Sequence, residues 1–197
     1  MRRGRLLLLF FSLVLVCVTV RAQNPPQEPA ARPRVGPESL RLAFLVGQWE
    51  EEITYPGREA GADKGHGRWF ARPDLGRYLV FRYEGSGPEG EYRAMGVLTW
   101  DAEMQTYRMW WFDDGGGIGE YRGSFHDDNT LVLEHHGKVE GRDFRERISY
   151  TRLGPGEVRT KIDQAYGEEE FKPYLEAVAH RTGEGLGRQG QGARPRP

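Results

Sequence analysis

From residue 48 to residue 181, hydrophobic and polar positions alternate in short runs that glycine, proline and aspartate interrupt at hairpin-length intervals. The clearest run is 107–113, which puts Tyr107, Met109, Trp111 and Asp113 on one face of an extended chain and Trp110 and Phe112 on the other. The physical basis is that successive side chains of a strand point to opposite sides. Runs of this kind predict ten strands, over 48–54, 65–71, 77–83, 91–100, 107–113, 119–125, 131–136, 143–153, 158–166 and 171–181. The breaks carry turn chemistry: Gly85-Ser86-Gly87-Pro88, Asp113-Asp114-Gly115-Gly116-Gly117, Asp127-Asp128-Asn129 and Gly154-Pro155-Gly156. Ahead of them, residues 37–45 begin with Pro37 and Glu38 and space Leu40 four residues from Phe44, which predicts one short helix. The expected fold class is all-β, a roughly ten-stranded antiparallel up-and-down barrel with one short N-terminal helix. Closing such a meander removes the exposed edges that invite aggregation. A sandwich of the same strands is the competing arrangement.

The flanks follow different rules. Residues 1–22 open with Arg2, Arg3 and Arg5, continue with an apolar run from Leu6 to Val20, and close on Val20-Arg21-Ala22. That order is a secretory signal peptide with a small-residue cleavage site. The apolar run has 15 residues, short of the ~20 that span a bilayer as a helix. The expectation is an exported protein, periplasmic or extracellular, with no stable membrane insertion after processing. Residues 23–37 hold five prolines and read as a linker; residues 38–181 are the barrel domain; residues 182–197, rich in Gly and Arg, read as a disordered tail.

Composition narrows the function classes. A hydrophobic content of 38%, with 12% aromatic residues, suffices for a real core. Lys and Arg number 28 against 29 acids, which supplies none of the positive footprint needed to bind nucleic acid through phosphates. Cleavage after Ala22 removes four arginines, leaving 24 basic residues against 29 acids, a net charge of -5. It also removes Cys17, the only cysteine, and with it any disulfide, thiol nucleophile or thiolate metal site. Lipidation at Cys17 is discounted, because Val16 stands where a lipobox wants a small residue.

Several segments, in order, resemble a bacterial secreted domain-of-unknown-function family with a lipocalin-like (calycin-like) β-barrel: Leu45-Val46-Gly47-Gln48-Trp49, Gly76-Arg77-Tyr78-Leu79, Tyr107 to Asp113, Phe144-Arg145-Glu146 and Glu176 to Arg181. The resemblance spans roughly 40–181 and implies a fold without an assigned reaction. The chain departs from it at Thr99-Trp100-Asp101, where the family has Gly-Tyr-Asp, and at Ala179, where it has a tyrosine. Pro173 adds a residue to the last strand.

The resemblance places Tyr107, Trp111 and Asp113 inside the barrel, so that Trp110 and Phe112 need a cover, either the N-terminal helix or a second copy in a homodimer. Asp113, Arg145, Glu146, Asp163 and Glu176 match or neighbour family positions, and a carboxylate with an arginine inside a barrel would grip a ligand's polar end. Mutual neutralisation is the alternative role, and adjacent Arg145 and Glu146 cannot both face inward in a regular strand. The expected ligand-binding set is Tyr107, Trp111, Asp113, Arg145 and Glu176.

No metal site and no cofactor are expected. Glu134 shares a strand face with His136, and Ser124 with His126, but such pairs fall short of the three ligands of a catalytic zinc. His180 sits where haem barrels of the nitrobindin type use a late histidine, yet Glu51 replaces that group's second glycine. The triplets 50–52 and 168–170 read as solvated surface charge. Nucleophile-elbow, phosphate-loop and His-Glu-x-x-His motifs are absent from the sequence.

The leading reading is therefore a secreted barrel for a small, mostly apolar ligand. The alternatives are an enzyme using Asp113 and Glu176 for proton transfer, and a dimerising module without ligand. The intact mass of the exported protein is expected to correspond to loss of residues 1–22; a species retaining Leu6 to Val20, or one lipidated at Cys17, overturns that expectation.

Overall fold

In the computed structural model, residues 36–61 and 63–183 are described, and they form one closed barrel. A five-residue helix α1 (Pro37–Arg41) leads into a single 3-10 turn (Leu42–Leu45). Ten strands follow: β1 (Gly47–Thr54), β2 (Lys64–Asp74), β3 (Tyr78–Gly87), β4 (Gly90–Asp101), β5 (Thr106–Asp113), β6 (Ile118–Phe125), β7 (Thr130–Val139), β8 (Arg142–Gly154), β9 (Glu157–Tyr166) and β10 (Lys172–Gly183). Each pairs antiparallel with its neighbour in sequence, and β1 pairs with β10, from Gln48↔Gly183 to Thr54↔Glu176. The barrel, and not the sandwich, is the arrangement adopted.

Most strand ends shift by one to four residues, and three features of the strands are informative. β10 runs two residues past Arg181, because Gly183 pairs with Gln48 and completes the closure. Gly85 and Gly87 belong to β3 and not to the turn. The reason is steric: a Cβ at Gly85 would lie 2.8 Å from the Tyr83 ring. The extra residue at Pro173 is absorbed by a register shift between Pro173 and Leu175 against β9. Proline has no N–H to give the ladder, so it sits where the ladder is broken. The expected signal peptide, the linker save its last two residues, and the tail beyond Gly183 lie outside the described residues.

Helix α1 is too short to hold itself, and it is pinned by contacts with the barrel. The Tyr107 hydroxyl is 2.8 Å from Glu38 Oε2 and 2.9 Å from the Glu38 carbonyl. Leu42 and Leu45 are buried, and Phe44 packs edge-on against Phe125. Together these close one end. Below the plug, Trp49 is fully buried, stacked 5.0 Å from Trp69, and its indole N–H donates to the Leu45 carbonyl at 3.1 Å. The Arg181 guanidinium lies 4.5 Å from the Trp49 ring centroid and donates to the Phe44 carbonyl. Leu79, Leu98, Met109, Leu131, Leu133, Val158 and Ala179 complete this apolar layer.

The helix therefore caps the end of the barrel through Tyr107. Trp110 and Phe112 lie half-buried on the outer wall, with the Arg108 guanidinium over the Trp110 ring.

Gly47 joins plug to barrel at φ +143°, where a Cβ would also meet the Gly183 carbonyl and the Trp49 indole nitrogen at 3.2 Å. Gly47→Ala is expected to cost about 1–3 kcal/mol, read as a lowered urea midpoint with an unchanged m-value.

Candidate functional site

The inward positions change character along the barrel. Toward the end opposite the helix they surround a cavity of about 820 Å³, walled by Trp69, Phe81, Tyr83, Trp111, Tyr121 and Tyr150. Large rings at inward positions would ordinarily fill this space. They do not, because glycines occupy the wall beside them and let the rings lie back. A Cβ at Gly96 would be 2.5 Å from Trp111, at Gly67 2.5 Å from the Tyr83 hydroxyl, and at Gly119 2.6 Å from Tyr121. Gly96 is the direct cross-strand partner of Trp111.

Two carboxylates face this space. Glu51 is buried on β1, one inward step above Trp49; it accepts from the Trp69 indole N–H at 3.0 Å and from the Tyr83 hydroxyl at 2.9 Å. Glu146, half-buried on β8, accepts from the Tyr121 hydroxyl at 2.6 Å and from the Gln164 amide at 2.7 Å. Burial raises the Glu51 carboxyl above the ordinary carboxylate value, and its two donors oppose the shift. Burial, and then the adjoining carboxylates, push the Tyr83 and Tyr121 phenols far up, so both remain neutral donors. Tyr92, which accepts from the Trp111 indole N–H at 2.8 Å, is pushed up to about 12, chiefly by burial. His135 Nδ1 lies 2.9 Å from the Glu120 carbonyl; that oxygen only accepts, so the contact assigns the proton to Nδ1.

Of the five expected ligand residues, the structure brings Trp111 and Asp113 to the cavity. Asp113 stands at the mouth and also braces the β5–β6 turn, where its Oδ1 accepts from the Gly117 amide at 2.8 Å. Tyr107 faces inward but belongs to the closed end, bonded to Glu38. Arg145 points outward, donating to the Gly167 and Glu169 carbonyls and lying over Phe171. Glu176 is exposed on the outer face of β10. Neither Arg145 nor Glu176 can grip an interior ligand, because Glu146 and Ala177 take the inward positions beside them. His180 is likewise outward and exposed, which removes the haem reading based on it. Asp163 is buried on the face of β9 turned away from the cavity, 3.1 Å from Lys161.

Sequence reasoning missed Glu51. Read with its triplet it looks like surface charge, but the two-residue period from Trp49 through Glu51 to Ile53 puts it inside. The same alternation, Phe144, Glu146, Ile148, Tyr150, selects Glu146 over Arg145, and all four line the cavity.

A closed up-and-down barrel, plugged at one end and hollow toward the other, has the architecture of a lipocalin-like barrel. The family model for a protein of unknown function, DUF1579, matches residues 35–169, and the chain belongs to that family. Among solved structures, Rv2717c from M. tuberculosis is similar in fold, with a TM-score of 0.57 at 14% identity over 75% of this chain and 99% of that one. More distant likenesses are a redesigned beta barrel, mFAP0, bound to DFHBI (TM-score 0.41, 13% identity, 70% of this chain and 99% of that one) and the S-type phycobiliprotein lyase CPES from Guillardia theta (TM-score 0.43, 13% identity, 74% and 97%). No curated protein matches the chain.

The raised Glu51 value has a definite sign. Above the ordinary value of 4.5, the unfolded chain ionises while the folded protein keeps the proton. That contribution to stability is present at low pH and is lost as pH rises through the folded value. Glu51→Gln removes it. In urea unfolding across a pH series, the stability of wild type relative to Glu51→Gln is expected to fall as pH rises above 4.5; a flat or rising difference contradicts the burial of an acid there.

Proposed function

We propose that this protein is an exported binding barrel that holds a small, mostly apolar ligand in its cavity. The observation that carries the reading is a space of about 820 Å³ with aromatic walls, kept open by glycine at the positions facing Trp111, Tyr83 and Tyr121. A drug-sized ligand fits a pocket of this class. A barrel filled by its own side chains would have favoured the dimerising module instead. The enzyme reading keeps one of the two residues offered for it, since Glu176 is outside while Asp113, at the cavity mouth, also accepts from the Gly117 amide. Export rests on the order of charge, apolar run and small residue in residues 1–22.

The test is binding of an apolar fluorophore. Trp111→Ala removes an indole from the wall and is expected to weaken binding of diphenylhexatriene by roughly tenfold, about 1.4 kcal/mol. Ile162→Trp, which puts a larger ring on a cavity-lining position of β9, is expected to block it. Unchanged affinity in both variants, each still melting cooperatively, overturns the cavity as the binding site.

A further inference from the structure

The charges around the cavity are one-sided. Six acids line it and its mouth: Glu51, Glu89, Glu91, Asp113, Asp114 and Glu146. Among the described residues, Lys138 is the one Lys or Arg in that lining, its ammonium largely exposed and 2.7 Å from Asp143; the one histidine there, His135, stands across the ladder from Glu146 but bonds through Nδ1 to the Glu120 carbonyl. Two of the mouth acids are ion-paired, Glu89 with Arg58 and Asp114 with Arg93. The inner two have none of opposite charge: Glu51 and Glu146 are held only by neutral donors, Trp69 and Tyr83 for one, Tyr121 and Gln164 for the other. Neutral donors orient a carboxylate but leave its charge uncompensated, and an uncompensated charge in a low-dielectric space is costly.

From this arrangement, and resting on the binding reading above, we infer that the ligand class is an organic cation, an apolar body bearing an ammonium group that sits beside Glu146. Glu146 is the more open of the two carboxylates and keeps lone pairs beyond those its two donors use. Tyr121 is bonded to it, and Phe144 and Tyr150 share its strand face. Aromatic faces attract a cation most strongly where water is excluded. An anionic ligand, such as a fatty acid, would instead meet carboxylates at the mouth and at depth, and among the described residues this cavity offers it no inward guanidinium. The acidic rim also draws cations toward the opening.

The experiment uses three probes that share one fluorophore: diphenylhexatriene, its trimethylammonium derivative and its propionic acid derivative. Wild type is expected to bind the cationic probe roughly tenfold tighter than the neutral one and the anionic probe most weakly. Glu146→Gln is expected to bring the cationic-to-neutral affinity ratio toward one, with Glu51→Gln doing so less, while Glu176→Gln on the outer face leaves the ratio unchanged. Ratios within each variant cancel any general loss of binding, and the wild-type order stands if a variant does not fold. Equal or tighter binding of the neutral or anionic probe, or a cation preference that survives Glu146→Gln, overturns the inference while leaving the binding barrel intact. Failure of all three probes to bind wild type overturns both.

Discussion

Ten strands closed on themselves enclose more cross-section than one layer of ordinary side chains can fill, and the rest of this structure answers that constraint. An eight-stranded barrel is about the size that its interior residues pack solid. Here the surplus is handled differently at the two ends. At one, an added plug of helix and 3-10 turn supplies Leu42, Phe44 and Leu45, and Trp49 and Trp69 stack beneath it. At the other, among the described residues, nothing is added, and the inward rings lean onto glycine walls. The result is a cup: an apolar floor fastened by the Trp49 indole, the Tyr107 hydroxyl and Arg181, and a hollow above it.

Polar groups inside the cup obey the same rule of burial. An acid removed from water must be hydrogen-bonded or neutral, and Glu51 has both routes available, with two donors and a raised carboxyl. The donors are aromatic side chains that also make the wall, so orienting the acid and shaping the cavity are one act. Gly67 belongs to this unit, since a methyl group there would strike both the Tyr83 hydroxyl and Glu51. By contrast, the ion pairs on the outer surface, such as Arg68 with Glu84 and Arg122 with Glu120, are exposed; water and salt screen them, and they contribute little to holding the barrel shut.

The all-β class, ten strands in order, the short helix and the irregularity at Pro173 were legible in the sequence, because each depends on local chemistry: alternation, turn residues, a proline in a strand. Expected and observed strand ends agree within a few residues except where glycines such as Gly85 and Gly87 imitate a turn. The candidate site was legible only in part. Trp111 and Asp113 lie where the family resemblance puts them, while Tyr107 went to the plug and Arg145 and Glu176 to the outer face.

Alternation alone determined that Glu51 shares a face with Trp49 and Ile53, and that Glu146 shares one with Phe144, Ile148 and Tyr150. What it could not determine is which face of a strand is the inside when both carry apolar and charged residues, as in 107–113, where Asp113 shares one face with Trp111 and Arg108 the other with Trp110. The pairing of β1 with β10 decided that, because closure makes one face of every strand concave at once. Nor does a strand pattern say how far along the barrel an inward residue lies. Tyr107 and Trp111 share a face and differ by four residues, yet one meets the helix and the other the cavity. Depth is set by where the plug ends, a contact between segments far apart in the chain, and only the folded barrel brings them together.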